Sequence, residues 1–499
     1  MTTPRTAAGF RAEHAVRTPH RFDALLADDV ITPMHHHVEG QDFLVAETSE
    51  GLRRVTPTEA DAVASECSLL RDHAEVEVDD DGPVGLARGG VSRRTVLGGA
   101  ALGLGALLAQ SSRPRYAFAA PAPGAVTGDS RDTLVVIFLR GGMDGLSAVV
   151  PVTDPAYYAA RPTIAVPDTS TIALTAGYGL NTAMSALQPM WQAGQLAAMI
   201  GTGNPLVTRS HFEDMVSAER AAPAQMRSGW IARHLASASS ATGTFRAIAM
   251  GSSVTTSLTT TAFEALAMND IASFDVYAWD QIRDDVLRSL DGMYAAAGGE
   301  INDAADATLA AVAGLVDLRA STPAPDNGAV YPTGSFGQGL RDVARLIKAG
   351  KGLEAACVDL GGWDHHQGLM DGSAGYAFPA LAKQLADGLA AFRTDLGDAW
   401  SRTSVVTMSE FGRRVGENGT GGLDHGHGGL MLFAGGGVKG GIYGSQPLLT
   451  ANNLADGDVP IRHDYRSGLS ELVTDRLANG ANLSTVFPGY TPSLPGIFV

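Results

Sequence analysis

The stretch TLVVIFLRGGMDG, residues 133–145, decides the fold, because an apolar run passes directly into a glycine-rich turn that carries charge. The run is rich in β-branched side chains and predicts a buried strand, and Asp144 follows it closely. The same pattern recurs along the chain, and we expect buried strands at residues 196–201, 245–251, 354–360, 403–409 and 430–436.

Helical patterns lie between these strands. Residues 338–350 and 380–400 have apolar side chains at three- and four-residue spacing, which is typical of amphipathic helices. Strands that alternate with helices indicate an α/β fold, in which a mainly parallel sheet is covered on both faces.

Polar clusters stand at the ends of the predicted strands. RGGMDG, GGWDHH and SEFGRR each follow a strand directly. Because the carboxyl ends of parallel strands share one edge of a sheet, we expect Asp144, Asp364 and Glu410 to converge there. LDHGHGG precedes a strand instead, and we expect it to reach the same edge only as a long, glycine-rich loop.

The clusters combine carboxylates with imidazoles. Taken alone, an aspartate in a turn or a histidine in a loop is better explained by a local structural role than by metal binding. Four such clusters at strand ends favour a divalent-metal site, and the donor mixture favours Zn²⁺ or Mn²⁺ over Ca²⁺. The predicted metal ligands are Asp144, Asp364, His366, Glu410, His425 and His427.

A further segment, NPLVTRSHFEDM at residues 204–215, follows the strand predicted at 196–201. A hydroxyl beside a metal can act as a nucleophile, so we predict a catalytic group of Ser210 with its neighbours Arg209 and His211. The alternative is that Ser210 and Glu213 form a capping box at the start of a helix. The two interpretations are compatible, since a helix N-terminus also stabilises an anion.

Two arginines, Arg140 and Arg413, stand beside the acidic candidates. A guanidinium matches phosphate and sulfate oxygens bidentately, so both are predicted to bind the substrate. The alternative is that each forms a salt bridge with a neighbouring carboxylate.

The N-terminal part contains the elements of an export signal in the expected order. Arg93 and Arg94 precede a glycine-containing apolar run at 96–109, which is too short for the roughly 20 residues of a membrane span. Small residues around Ala117-Phe118-Ala119 fit an A-x-A cleavage site. We predict a twin-arginine signal at 91–120, with the twin-arginine translocation machinery as a partner, no stable membrane anchor and a periplasmic or extracellular location. A glycine-rich core helix is the alternative.

Residues 1–90 differ from the rest and predict a small module or a partly disordered leader, in which His35 to His37 form a polar loop or a metal site. The formal charge of −17 argues against a nucleic-acid partner. The chain has two cysteines, Cys67 and Cys357, so at most one disulfide is possible, and cleavage between them would exclude it.

Taken in order, LRGGMDGLS, TRSHFE, GGWDHH, SEFGRR and DHGHGG resemble the DUF1501 family, a branch of the alkaline phosphatase–sulfatase superfamily. The resemblance implies an alkaline-phosphatase-like α/β/α sandwich over 131–499. It also implies a metal-binding role for Asp144, Asp364, His366 and one of His425 and His427, a nucleophile at Ser210, and Glu410 in place of the aspartate of an Asp-His pair.

The sequence departs from the superfamily at Phe411, which follows Glu410 where a histidine is expected. One metal position therefore has fewer ligands, which allows a single-metal site. No cysteine stands in a C-x-P-x-R context, which argues against formylglycine chemistry.

These observations predict an exported, metal-dependent hydrolase or transferase that acts on phosphate or sulfate esters, with a small anionic ester or a glycan-like molecule as substrate. The alternative is a non-catalytic metal-binding or assembly protein on a degenerate fold, and Phe411 is the residue that favours it.

Overall fold

The stretch at residues 133–139 forms a central strand of a nine-stranded sheet. The structure, a computed structural model, describes residues 33–38, 41–48, 51–55 and 132–499, except 176, 239–243, 261, 263–264, 277–281, 298 and 374. The chain divides into two units, Met1–Ala101 and Leu102–Val499.

In the first unit, three strands form an antiparallel sheet in the order β1-β2-β3: β1 (Pro33–Val38), β2 (Gln41–Thr48) and β3 (Gly51–Val55). The triple histidine lies in β1. The predicted twin-arginine segment at 91–120 and most of the predicted leader lie outside the described residues, so both remain predictions.

The described part of the second unit contains two sheets. The strands are β4 (Thr133–Leu139), β5 (Val149–Val150), β6 (Thr171–Thr175), β7 (Tyr178–Asn181), β8 (Leu196–Gly203), β9 (Ala247–Met250), β10 (Leu266–Met268), β11 (Ala355–Leu360), β12 (Thr403–Met408), β13 (Gly429–Gly435), β14 (Gly441–Gly444) and β15 (His463–Asp464). The large sheet has the order β10-β9-β11-β4-β12-β13-β8-β14, with β15 paired to β8, and β5, β7 and β6 form a small antiparallel sheet.

The described α-helices of the second unit lie between these strands, apart from the last two, which follow β15. They are α1 (Gly145–Ala148), α2 (Pro155–Ala160), α3 (Gln188–Gln192), α4 (His211–Arg220), α5 (Trp230–Ser237), α6 (Arg283–Ala297), α7 (Gly299–Gly314), α8 (Val316–Ala320), α9 (Ser335–Lys348), α10 (Phe378–Leu396), α11 (Arg466–Asp475) and α12 (Leu483–Val486). Among the described residues, no helix is both long enough and apolar enough to cross a membrane.

Both faces of the large sheet are buried. In β4, Val135 and Ile137 belong to one apolar core, which α9 and α10 complete, whereas Val136 and Phe138 belong to a second core with α5 and α11. Successive side chains of a strand point to opposite faces, so a strand buried on both faces is apolar throughout. The predicted α/β class, with three α/β/α layers, is confirmed.

The direction of β13 corrects one expectation. The sheet is parallel except for β13, which runs antiparallel to both β12 and β8. The amino end of β13 therefore lies at the edge where the parallel strands have their carboxyl ends. The segment LDHGHGG stands at this edge directly, and the long crossing predicted for it is not needed.

Several short elements were not predicted. β10, β14 and β15 have two to four residues each, too few for a periodic pattern to appear in the sequence. Each pairs in parallel with a strand of the large sheet and so depends on that neighbour for its hydrogen bonds.

Candidate metal centre

Side chains from three segments converge at the edge formed by the carboxyl ends of the strands. One ligand atom each of His211, Asp364 and His425 lies within 4.8 Å of the others, an arrangement that can hold a metal ion. His211 begins α4 beyond β8, Asp364 follows β11, and His425 precedes β13. His366 joins them, with Nε2 3.3 Å from Oδ1 of Asp364. We call these four residues the metal cluster.

The spacing of the donor atoms fits one small cation. Oδ1 of Asp364 lies 3.4 Å from Nε2 of His211, 3.4 Å from Nε2 of His425 and 3.3 Å from Nε2 of His366. Donors about 2.0–2.1 Å from a tetrahedral zinc ion are separated from each other by about 3.3 Å. The Nε2 atoms of His366 and His425 are closer, at 2.9 Å, where two bare nitrogens would repel unless a proton or a metal lay between them.

The other ring nitrogen of each histidine faces an acceptor. Nδ1 of His425 lies 2.7 Å from the main-chain carbonyl oxygen of Arg209, which can only accept. Nδ1 of His211 lies 2.8 Å from Oε1 of Glu410, and Nδ1 of His366 lies 3.3 Å from Oδ1 of Asp424. Hydrogens on Nδ1 leave the Nε2 lone pairs directed at the cluster, which is the usual arrangement of metal-binding histidines.

The donor side chains of the metal cluster differ in their exposure to solvent. Nε2 of His211 is buried and has no hydrogen-bond partner. An unpaired buried nitrogen is costly, and a cation would satisfy it. The side chains of Asp364 and His366 are 46% and 45% exposed, so the cluster opens to solvent on their side.

Arg413 holds Asp364 in place. Its Nη2 donates to Oδ1 of Asp364 at 2.5 Å and also to the main-chain carbonyl of Trp363. Nε and Nη1 donate to the carbonyls of Gly142 and Leu423, so the side chain joins three strand-end loops. Burial opposes ionisation of Asp364, but the proximity of His425 and the hydrogen bond from Arg413 outweigh it and lower its pKa. The carboxylate therefore stays ionised, as a metal ligand must.

Glu410 positions His211. Its Oε1 accepts hydrogen bonds from Nδ1 of His211 and from the amide of Gly141, both at 2.8 Å, and its carboxyl group is buried. Burial works to raise the pKa of Glu410, and the hydrogen bond from His211 contributes most to lowering it overall. The same bond is the main reason that the pKa of His211 is raised. Glu410, predicted as a ligand, orients the ligand His211 in this structure.

Glycine allows the loops to approach each other. Gly141 has φ of +117°, and a Cβ there would lie 2.5 Å from the main-chain nitrogen of Asp364.

Phe411 packs beneath the imidazoles, with its ring centre 4.9 Å from that of His211 and 4.6 Å from that of His425. The phenylalanine that replaces the expected histidine is therefore an apolar support for two of the ligands.

Asp144 does not join the metal cluster. Both of its oxygens accept hydrogen bonds from Arg161, at 2.6 and 2.9 Å, and one also accepts from the amide of Ser147 at the start of α1. Asp144 and Arg161 are both buried. Burial opposes ionisation of Asp144, but Arg161 outweighs it and lowers the pKa of the carboxyl group. The aspartate is thus half of a buried ion pair.

The predicted arginines and His427 also have protein partners. Arg140 donates to Asp359 at 2.6 Å and to Glu219 at 2.7 Å, and Arg413 is buried among the carbonyls described above. Nδ1 of His427 lies 3.2 Å from Oδ2 of Asp458. Of these three side chains, only Arg413 contacts the metal cluster, through its hydrogen bond to Asp364.

Ser210 stands at the N-cap of α4, directly before His211, as the capping alternative expected. Its side chain makes no capping hydrogen bond, however, and the amide of Thr208 donates instead to both oxygens of Asp214, at 3.0 Å each. The Ser210 hydroxyl is therefore not used by the helix.

Residues 131–463 match the family model described as "Protein of unknown function (DUF1501)", which is well over half of the chain. The chain belongs to this family. A solved structure of a protein in the alkaline phosphatase superfamily from Vibrio parahaemolyticus is similar at 12% identity, over 68% of this chain and 70% of that chain, with a TM-score of 0.28. No curated protein matches.

Within this DUF1501 member, the sequence motifs contain the donors and several of the residues that support them, among them Glu410 and Arg413. Arg161 and Asp458 lie outside the motifs. Arg161 pairs with Asp144, 17 residues earlier, and Asp458 pairs with Arg209, 249 residues earlier. Asp424 had a signal, since it is part of LDHGHGG, and it contacts His366.

Proposed function

We propose that this chain is a metal-dependent hydrolase or transferase that acts on phosphate or sulfate esters, with one divalent cation bound by His211, Asp364 and His425. The observation that carries the proposal is that their donor atoms converge. Nδ1 of each of the two histidines faces a hydrogen-bond acceptor, which leaves Nε2 for the cation. Two imidazoles and a carboxylate favour Zn²⁺, with Mn²⁺ as the second choice.

Exposure of the cluster supports catalysis over a purely structural role. Asp364 and His366 are nearly half exposed, so a small anion from solvent can reach the donors from their side. Catalytic zinc sites have three protein ligands and keep a fourth position open, whereas structural sites are closed. His211, Asp364 and His425 supply those three ligands, and His366 borders the fourth position.

A divalent cation supplies Lewis acidity, which makes an ester more reactive towards a nucleophile. Ser210 offers the hydroxyl for this attack, because it directly precedes the ligand His211 and makes no capping hydrogen bond. A water molecule is the alternative nucleophile. Glu410 keeps a proton on Nδ1 of His211, and Arg413 holds Asp364 ionised.

A non-catalytic metal-binding protein is the second candidate. One observation favours it, namely that His366 supplies a fourth donor 2.9 Å from that of His425 and could close the coordination sphere. In that case metal would be retained, but no ester would be turned over.

The test is metal analysis of the purified full chain, followed by turnover of aryl phosphates and aryl sulfates with and without a chelator. We expect about one metal ion per chain and chelator-sensitive hydrolysis. His425→Asn should lose both, while His463→Asn, a change at a histidine that contacts Ser445 instead, should keep both. A chain without metal would contradict both functions, whereas retained metal without turnover would favour the second.

Ser210→Ala separates the two nucleophiles. It should abolish turnover with normal metal content if the hydroxyl attacks, and preserve much of the turnover if water does.

Export is the remaining part of the proposal, and SRR at 92–94 is its support. In a bacterium with a working twin-arginine pathway, the double change Arg93→Lys and Arg94→Lys should retain the chain in the cytoplasm. Unchanged export of the double variant would contradict this part alone.

A further inference from the structure

We infer that Arg209 serves the metal cluster through its main-chain carbonyl, and that Asp458 is a positioning residue that holds this carbonyl against His425. The inference rests on the proposed metal site. It changes the role expected for Arg209, whose guanidinium was predicted to take part in catalysis.

The carbonyl oxygen of Arg209 lies 2.7 Å from Nδ1 of His425, a short hydrogen bond. Because a carbonyl cannot donate, the hydrogen must reside on Nδ1, and the Nε2 lone pair is then available to a metal. If the carbonyl turned away, the imidazole could take the other tautomer, with its hydrogen on Nε2 and no lone pair for the metal.

The conformation that directs this carbonyl is unusual. Arg209 has φ of +65°, in the left-handed region that residues with a Cβ rarely adopt. Such a conformation persists only where its surroundings hold it. On the amino side, the buried carboxylate of Asp214 accepts from the amide of Thr208, and on the carboxyl side α4 begins at His211.

The side chain of Arg209 is the third attachment. Its Nη2 donates to Oδ2 of Asp458 at 2.6 Å and lies 3.2 Å from Oδ2 of Asp456. Asp458 is fully buried, whereas the side chain of Asp456 is 78% exposed. A hydrogen-bonded ion pair with a buried carboxylate is held far more firmly than one with an exposed carboxylate, so Asp458 carries the restraint.

These contacts engage part of the guanidinium, and the side chain of Arg209 is 27% exposed. Nη2 is shared between two carboxylates, and Nε is buried. Asp458 therefore holds the main chain at Arg209 through the side chain of that residue, and it also receives contacts from Arg414 and His427.

The first experiment compares two changes at the same arginine. Asp458→Asn and Asp456→Asn each remove one carboxylate from Arg209, in the full-length chain loaded with Co²⁺ as a spectroscopic probe. We expect Asp458→Asn to weaken Co²⁺ affinity by roughly 10–100-fold, the usual effect of losing an outer-shell partner, and Asp456→Asn to change it less than about threefold. Equal affinities for the two variants would overturn the inference.

The second experiment separates the carbonyl from the guanidinium. Glycine adopts positive φ readily and alanine does not, so Arg209→Gly should bind Co²⁺ more tightly than Arg209→Ala although both lack the guanidinium. If the guanidinium itself were the functional group, the two variants would be equally impaired. That result would contradict the proposed role of the carbonyl.

A third measurement needs no metal and no activity. Nitrogen-15 NMR of the metal-free protein reports which ring nitrogen of His425 carries hydrogen. We expect the Nδ1–H form in the wild type and in Asp456→Asn, with the Nε2–H form appearing in Asp458→Asn. An unchanged tautomer in Asp458→Asn would overturn the inference, whereas failure of the wild type to bind metal would contradict only the proposed function.

Discussion

Asp144→Asn tests whether this aspartate binds metal or maintains the fold. The change keeps the size of the side chain and removes its charge. In the structure, Arg161 donates to both oxygens of Asp144, and its remaining hydrogen bonds go to Ser147 and to the carbonyls of Val415 and Arg414. After the substitution no carboxylate would balance the guanidinium, and an amide group would oppose one of its N–H donors.

The expected magnitude follows from burial. Neither Arg161 nor Asp144 has appreciable exposure, at 0% and 2% of the side chain. Removing one partner of such a buried pair costs about 3–5 kcal/mol, because an uncompensated charge remains in the interior. Asp387 supplies the control, since it forms an exposed pair with Lys383 on α10, and Asp387→Asn should change stability by less than about 0.5 kcal/mol.

The assay is chemical denaturation of the metal-free protein, together with metal analysis of the folded variant. We expect Asp144→Asn to lower the free energy of unfolding strongly and to leave the metal content per folded chain unchanged. The double change Asp144→Asn with Arg161→Met should recover part of the loss, because it removes the unpaired charge.

The opposite pattern would refute this reasoning. If Asp144→Asn abolished metal binding while the metal-free protein kept its stability, the aspartate would be a metal ligand, as the sequence resemblance implies.

Three further outcomes are expected. Glu410→Gln should weaken metal affinity by roughly 10–100-fold in a competition titration, because the amide orients His211 less firmly than the carboxylate; an unchanged affinity would count against the orienting role. Gly141→Ala should lower the free energy of unfolding by roughly 1–3 kcal/mol, since its φ and the nearby Asp364 leave no room for a Cβ, whereas Gly251→Ala, with open space around it, should not. The pKa of Asp144 is lowered by folding, so its contribution to stability is complete above about pH 5 and is lost as pH falls through its folded pKa. The stability difference between wild type and Asp144→Asn should therefore shrink between pH 5 and the acid limit, and a difference independent of pH would contradict the pairing.

Much of the large sheet could be predicted from the sequence. The predicted strand at 133–139 coincides with β4, and β8, β11, β12 and β13 differ from prediction by one or two residues at an end. These strands are buried on both faces, so their apolar runs stand out clearly. The antiparallel direction of β13 could not be predicted, because strand periodicity is the same in either direction.

The candidate site was predicted in part. Asp364, His366 and His425 lie together as motifs at strand ends suggested, while His211, assigned to catalysis, lies among the ligand donors. Asp144 stands at the same edge but is paired with Arg161. Whether a carboxylate at a strand end faces a metal or a buried arginine depends on a side chain from another segment, which motif spacing does not reveal.

The sequence by itself determined the α/β class and the set of polar residues at the strand ends, because apolar periodicity and the position of a residue after a strand are local properties. The tertiary structure alone decided which of these residues are donors and which are supports. Glu410 accepts a hydrogen bond from His211. Asp458 forms an ion pair with Arg209, and Arg413 forms one with Asp364. These choices depend on burial and hydrogen-bond partners that come together only when distant segments pack.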